Sequence, residues 1–443
     1  MTYAQSVEYL LGLGHETVSI KLGLETIRAL LHELCHPHQM LRTVHIAGTN
    51  GKGSTAAMVA EMAHAEGLRT GLYTSPHLVE ITERISINGK RIDHNDFARL
   101  ASRVRIASEN LVHRGSLPAP PSFFEQVTAI AFCYFAESKI DVEVLEVGLG
   151  GRLDATNICR PEVCAITPIS GDHQSYLGHS ISEIAFEKAG IIKPGVPVVS
   201  APQSVEAMDV IERRCRELHA PLIIAQNEPR IEASEDGFFR MSLRTSLNEY
   251  DVKLGLRGRH QVTNALVAIH LAELLRFRKS SIEAGLKNVQ WRGRLDLIRR
   301  KGKAALLIDG AHNPEGTKTL RSFIDEFYPL ASTPVTLVFG AMSDKALDEM
   351  IRTLFPAAQR RIAVPIDNPR TVDPHVIVRV AGDQGYDATA AKDSREGLRL
   401  ADDLTPENGL VCVCGSLYLV GEMYDLPEFS SPPAMHTCWN TIL

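Results

Sequence analysis

The sequence predicts an α/β protein: a mostly parallel sheet domain with helices on both faces and a P-loop-like phosphate loop, then a smaller β/α domain of Rossmann-like type. Three observations carry this. The stretch Val44-His-Ile-Ala-Gly-Thr-Asn-Gly-Lys-Gly-Ser54 runs from an apolar strand through a glycine-rich turn into an alanine-rich helical segment. Apolar strands then recur, each ending in glycine or polar residues and followed by helical periodicity, as parallel strand–helix–strand units require. The alternation ends at Trp291-Arg-Gly-Arg-Leu-Asp296 and restarts at Ala304-Ala-Leu-Leu-Ile-Asp309. A chain of 443 residues exceeds one ordinary domain, and the sequence divides it into 1–295 and 296–443.

Composition narrows the function classes. With 47 Lys and Arg against 53 Asp and Glu and no basic stripe, nucleic acid is not expected as a partner. Eight cysteines include no C-x-x-C pair, and Cys412 and Cys414 alternate inside the apolar run 410–420, as reduced core thiols of a strand would. The N-terminus has no basic segment ahead of an apolar one, and nowhere do about eighteen apolar residues run uninterrupted. A cytoplasmic protein without a membrane partner is expected.

Residues 4–11 and 25–34 read as helices, the second from the spacing of Leu24, Ile27, Leu30, Leu31 and Leu34. The glycine stretch follows as a phosphate cradle. Gly48, Gly51 and Gly53 let the backbone approach an anion, and Thr49, Asn50 and Ser54 add polar groups at a helix start. Lys52 supplies a point charge for outer phosphates. The spacing departs from G-x-x-x-x-G-K-[ST], because Gly53 separates Lys52 from Ser54. A helix at 54–66 leads to the strand Arg69–Ser75, whose carboxyl end places Ser75 where ligands collect in parallel sheets.

Residues 84–92 form a hairpin around Asn88-Gly89. Helices at 94–113 and 122–137 follow, the second with Ser122 as N-cap. By spacing alone Phe124 is a core residue. In the strand Asp141–Val147, Glu143 fits a charge on an exposed edge, whereas Glu146, beside the glycine turn 148–151, fits a metal ligand better. A further strand from Val163 leads to Gly171-Asp172-His173. Ser75, Glu146 and His173 thus stand at three strand ends, an arrangement suited to magnesium.

The helix 181–190 is closed by glycine and places Lys188 among Ile184, Ala185, Ala189 and Ile191. Burial would depress its pKa and let the amine take up carbon dioxide as a carbamate; the helix dipole explains a C-terminal lysine equally well. Residues 196–257 read as two more strand–helix alternations and a hairpin. Arg259 opens an apolar helix through Leu275. In the second domain, strand 304–309 meets Gly-Ala-His-Asn-Pro-Glu-Gly, a helix to Phe327 follows, and strands near 335–340, 361 and 410 continue a smaller sheet.

Eight motifs then resemble the folylpolyglutamate synthase family, including bacterial dihydrofolate synthase/folylpolyglutamate synthases, within the Mur ligase superfamily. They are Gly48–Ser54, Thr74–Leu78, Glu146–Asn157, Gly171–His173, Glu187–Ile191, Arg292–Arg294, Asp309–Pro314 and Gly415–Gly421, and the resemblance covers nearly the whole chain, from about residue 20 to 422. The resemblance implies an ATP-dependent carboxylate–amine ligase joining L-glutamate to dihydropteroate, to a reduced folate, or to both, through an acyl phosphate. It implies that Lys52 and the loop amides hold ATP, with Ser75, Glu146 and His173 on magnesium and a carbamylated Lys188 supporting a second ion. Asn264, Arg294 and Asp309 match residues holding the nucleotide from across a domain interface. His312 and Ser416 match residues that complete the site and receive glutamate. Phe124 matches the pterin side, with Arg152 and Asp154 of the Gly148–Asn157 motif as further substrate residues. A monomer is expected, since the cleft would lie between domains of one chain.

Two departures stand out: the wording of Thr167-Pro-Ile-Ser before Gly171, and Asp344-Lys-Ala without a second acid. A ligase for another acid and amino acid shares the fold. A nucleotide-switched binding protein would need only the phosphate loop, and the Asp309–Pro314 motif speaks against it.

Overall fold

The structure, a computed structural model, describes residues 1–14, 23–172, 174–234 and 236–429. Two compact units divide the chain between Trp291 and Arg292, where the sequence places the boundary after Leu295.

The first unit is built on an eight-stranded sheet. Its strands are β1 (Thr43–Ala47), β2 (Thr70–Tyr73), β3 (Ile85–Ile87), β4 (Lys90–Arg91), β5 (Val142–Glu146), β6 (Val163–Ile166), β7 (Val198–Ser200) and β8 (Leu222–Ile224). The order is β4-β3-β2-β5-β1-β6-β7-β8. β2, β5, β1, β6, β7 and β8 are parallel, and the hairpin β3–β4 adds an antiparallel edge. β1, β5 and β6 are buried along their whole length, which is why apolar residues fall on both of their faces, although Thr43, His45, Glu143 and Glu146 interrupt the runs. Asn88 and Gly89 take φ of 48° and 73°, the positive values that a tight hairpin turn needs.

Helices cover this sheet. Tyr3–Gly12, Glu25–Glu33, His94–His113 and Phe123–Glu137 pack around Phe97, Phe132 and Phe135, and Ile181–Ala189 and Val205–Glu217 pack around Ile166, Ile184 and Val198. Ser122 caps Phe123–Glu137 as expected, and Glu125 returns the bond to the Ser122 N–H at 2.7 Å, completing a capping box. The helix after the glycine loop starts at Lys52, two residues ahead of the expected Ser54.

Two expectations are corrected. Residues 196–257 hold one strand–helix–strand alternation, then a three-stranded antiparallel sheet of β9 (Arg230–Ala233), β10 (Phe238–Arg244) and β11 (Glu249–Arg257). Strict burial alternation along β10 and β11 was the signal for a half-buried meander. Glu143 is on no exposed edge either. β5 is paired on both sides, and the Glu143 side chain is fully buried, accepting the Thr43 hydroxyl at 2.7 Å.

The second unit carries β12 (Asp296–Ile298), β13 (Ala305–Ile308), β14 (Val335–Phe339), β15 (Arg360–Ala363), β16 (Thr389–Ala390) and β17 (Leu410–Cys414), in the order β12-β13-β17-β14-β15-β16. Only β12 is antiparallel. Cys412 and Cys414 are fully buried free thiols in the core formed with Leu307, Leu337 and Phe339, as their alternation predicts. The helix Leu417–Asp425 continues past Glu422. Among the described residues no helix is long and apolar enough to cross a membrane.

Candidate active site

β1 delivers its last residue, Ala47, directly to Gly48. Gly48 adopts φ of 146° and Gly51 of 87°, where a side chain is strained. Space forbids one as well: a Cβ on Gly48 would lie 1.9 Å from the Thr167 hydroxyl, and one on Gly51 2.3 Å from Asn264 Oδ1. The loop is fastened from β6 outward, since the Thr49 N–H donates to the Pro168 carbonyl at 3.0 Å and the Ser170 N–H to Thr49 Oγ1 at 3.1 Å. Lys52 folds back over the loop, its Nζ donating to the Gly48 and Thr49 carbonyls at 3.1 and 3.0 Å. Ser54 accepts from Gln261 Nε2 at 3.3 Å, and Gln261 in turn accepts from Asn264. Asn264 therefore belongs with the loop in the first unit.

Lys188 reaches the same loop from the helix Ile181–Ala189. Its Nζ is buried and donates to the Gly48 carbonyl at 2.8 Å. Burial is the largest cause that lowers its pKa to about 7; repulsion from Lys52 adds to it, and Asp172 and Asp154 oppose it. The depression read from its apolar neighbours is present, and Ile184, Ala185, Ala189 and Ile191 are all buried. Gly190 closes the helix with φ of −63°, so it is not a left-handed cap. Glycine is required there because Arg152 Cα would stand 2.5 Å from an added Cβ.

At the end of β5, the buried Glu146 accepts the Ser75 N–H on Oε2 at 3.2 Å and would lie 3.4 Å from a Cβ on Gly53. Register explains the meeting: Tyr73 pairs with Leu145, so Ser75 and Glu146 emerge side by side. His173 lies outside the described residues. Among the described residues no group of three or more His, Cys, Asp or Glu side chains could hold a metal. What meets at these adjacent strand ends by the phosphate loop is the Ser75 backbone N–H and the Glu146 carboxylate; a serine hydroxyl and a carboxylate are oxygen donors of the hard kind magnesium takes.

Two residues past Glu146, a Cβ on Gly148 would lie 2.6 Å from the Phe124 ring and 3.3 Å from Asp154 Oδ2. Phe124 is half-buried, packed against the helical core and beside this glycine. Asp154 is buried. Its carboxylate accepts the N–H groups of Leu149 and Thr156 at 2.9 and 3.0 Å and the Thr156 hydroxyl at 2.5 Å. Burial raises its pKa, against those hydrogen bonds. Arg152 is held elsewhere: it pairs with Glu187 at 2.9 Å and lies over the Phe186 ring.

In the second unit, Asp309 accepts the N–H groups of Leu295 and Ala311 at 2.8 and 2.9 Å, and burial raises its pKa against the pull of Arg294. His312 donates Nδ1–H to the Gly310 carbonyl at 2.7 Å, which fixes its tautomer. Ser416 is buried and caps the helix Leu417–Asp425, accepting the Tyr418 N–H at 3.1 Å. Asp344 is paired with Arg370 at 3.3 Å and Lys345 at 3.6 Å.

Sequence reasoning missed His45. It is fully buried on β1 with Nε2 2.8 Å from Thr156 Oγ1. One histidine inside an apolar run gave no signal; only the fold shows what it faces.

The Mur ligase middle domain model matches residues 46–272, and the model of the Mur ligase glutamate ligase domain matches residues 293–417. Over 430 residues the chain is 34% identical to the dihydrofolate synthase/folylpolyglutamate synthase of Bacillus subtilis (strain 168), covering 93% of this chain and 96% of that one. It resembles the Mycobacterium tuberculosis folylpolyglutamate synthase complexed with ADP at a TM-score of 0.90 and 30% identity, over 97% and 99% of the two chains. Escherichia coli FolC in complex with DHPP and ADP matches at a TM-score of 0.85 and 25% identity, over 97% and 98%.

Proposed function

The chain belongs to the folylpolyglutamate synthase family of the Mur ligases, and we propose that it uses ATP to join L-glutamate both to dihydropteroate and to the γ-carboxylate of a glutamyl folate. The observation that carries this is a juxtaposition on one strand end. Glu146 Oε2 stands 3.4 Å from where a Cβ on Gly53 would lie, and a Cβ on Gly148, two residues on, would meet Phe124 and Asp154. A nucleotide on the loop and a flat heterocycle on Phe124 would therefore be served by neighbouring residues.

In this reading the substrate carboxylate attacks the γ-phosphorus of ATP in line, giving an acyl phosphate and ADP. The amine of glutamate then attacks the acyl carbon, loses a proton and expels phosphate. The amides of Gly48–Ser54 and the charge of Lys52 orient the phosphates and balance the charge that develops on the transferring group. Asp154 offers its carboxylate to N–H donors of the heterocycle beside the Phe124 face. Asn264 supports the loop at Gly51, and Arg294 and Asp309 act on the nucleotide. His312 and Ser416 are assigned to glutamate. Ser75 and Glu146 would hold magnesium, with His173 as a third ligand, and that ion supplies neutralisation of phosphate charge. Lys188, a neutral amine for much of its population near pH 7 to 8, adds to carbon dioxide with loss of a proton, and the carbamate offers oxygen donors to a second ion.

The test is ADP release with magnesium, ATP and L-glutamate, run with dihydropteroate and separately with a reduced monoglutamyl folate, with mass spectrometry of the products. An amide product from each acid is the expected result. Product from one acid alone would make the enzyme monofunctional, and ATP turnover indifferent to both acids would overturn the reading.

A further inference from the structure

His45 lies on β1 three residues ahead of Gly48, and its ring is enclosed by the loop that follows β5. Nδ1 is 3.7 Å from Cys159 Sγ and Nε2 is 2.8 Å from Thr156 Oγ1. The Thr156 hydroxyl is in turn 2.5 Å from Asp154 Oδ1. Donor and acceptor capacities settle the direction of this chain. Asp154 Oδ1 accepts the backbone N–H and the hydroxyl proton of Thr156, so the hydroxyl has no further proton to give. It must accept from His45, which places the imidazole proton on Nε2. Bare Nδ1 then accepts the Cys159 thiol proton. Two further facts agree: burial raises the Cys159 pKa far above its usual value, so the thiol keeps its proton, and burial lowers His45 to about 3, so the ring stays neutral.

We propose that Cys159, His45, Thr156 and Asp154 form a buried relay of fixed direction that aims the Asp154 carboxylate at the acid substrate, making His45 and Thr156 positioning residues for the ligation. With Oδ1 tied to Thr156, Asp154 holds Oδ2 on the Leu149 N–H at 2.9 Å and beside Gly148, where one lone pair is left for the substrate. The strand that feeds the phosphate loop thereby also sets the group that meets the acid. The proposal rests on the reading of Asp154 as a substrate residue.

The experiment compares Thr156→Val, which keeps the shape and removes the hydroxyl, with Thr156→Ser and Asp154→Asn in the full-length enzyme. Thr156→Val is expected to raise KM for dihydropteroate about tenfold while KM for ATP and for glutamate stay within about twofold, and Thr156→Ser to return to within about threefold of wild type. If Asp154→Asn raises that KM and Thr156→Val does not, the relay is wrong and the substrate reading stands. If Asp154→Asn leaves it unchanged, the substrate reading fails and the relay falls with it. Equal rises in all three KM values would show a merely structural hydroxyl and overturn the proposal. Independently of any variant's folding, nitrogen NMR of the histidine-labelled wild-type enzyme should show His45 as a neutral imidazole protonated on Nε2 and unchanged from about pH 5 to 8, told apart from His38, which burial also lowers, to about 4, by its contact with the Thr156 hydroxyl. A proton on Nδ1 of His45 would overturn it.

Discussion

Lys188 and Lys52 approach the same carbonyl, that of Gly48, at 2.8 and 3.1 Å, and burial lowers the pKa of Lys188 to about 7. The consequence for stability has a definite sign. An unfolded lysine binds its proton up to about pH 10.5, whereas folded Lys188 releases it near 7. Between those limits the unfolded state holds more protons, so stability rises with pH; below pH 7 the full cost is present, on the order of a few kcal/mol. Lys188→Met should therefore melt higher than wild type at pH 7 in carbon-dioxide-depleted buffer, with a gap that closes toward pH 10, while kcat falls by about 10³ or more. A melting gap independent of pH would disprove the buried-charge account. Lys188 was legible because its neighbours at helical spacing are all apolar, which marks an inward helix face. His45 was not, since a paired strand buries both faces and one polar residue in the run does not say what opposes it. Asp154 and Phe124 were named through the motif, not from their spacing. Arg152 was named by the same route, and its pairing with Glu187, beside the close packing at Gly190, left no mark in the spacing.

Strand β5 carries two carboxylates, and they behave differently because of the ladder. Glu146, at the end, meets Ser75 and the loop; Glu143, inside, is paired across to Thr43 on β1 and Gly71 on β2 with no access to water. Burial raises the Glu143 pKa to about 8, against the Thr43 hydrogen bond. Here the sign is opposite to that of Lys188. The folded state keeps the proton to about pH 8 while the unfolded state loses it near 4.5, so the stability present at low pH is lost as pH rises through that window. Glu143→Gln retains an oxygen acceptor for Thr43 and never ionises. It should match wild type near pH 4.5 and exceed it by on the order of a few kcal/mol above pH 8, read from urea midpoints at both pH values. Equal midpoints at pH 8.5 would show Glu143 to be ionised and solvated in the fold. The parallel strands were legible from their apolar runs and glycine ends, which burial imposes directly. The position of a strand within the sheet was not, because order depends on crossovers that leave no local pattern; that is why Glu143 read as an edge charge.

Each unit has its own sheet and its own core, the first around residues such as Phe97, Phe132 and Ile184, the second around Leu337, Phe339 and Ile351. Separate cores of this size are cooperative units in their own right. The whole phosphate loop, with Lys52, Lys188, Glu146 and Asn264, belongs to the first. Ligand linkage then makes an asymmetric prediction. A nucleotide that binds the folded first unit and not its unfolded chain adds about 2.7 kcal/mol to that unit at a concentration 100 times its Kd. Calorimetry of the full chain should resolve two transitions. ADP with magnesium should raise the one assigned to Met1–Trp291 by hydrogen exchange, with the strongest added protection at Gly48–Ser54 and along Lys52–Ala65. Lys52→Ala removes the point charge on the phosphates while leaving the loop backbone, so it should diminish that shift and leave the nucleotide-free transitions in place. A single transition moved as a whole by ADP would mean that the two cores unfold as one; a shift surviving intact in Lys52→Ala would remove Lys52 from the phosphate site and leave nucleotide capture to the backbone amides alone.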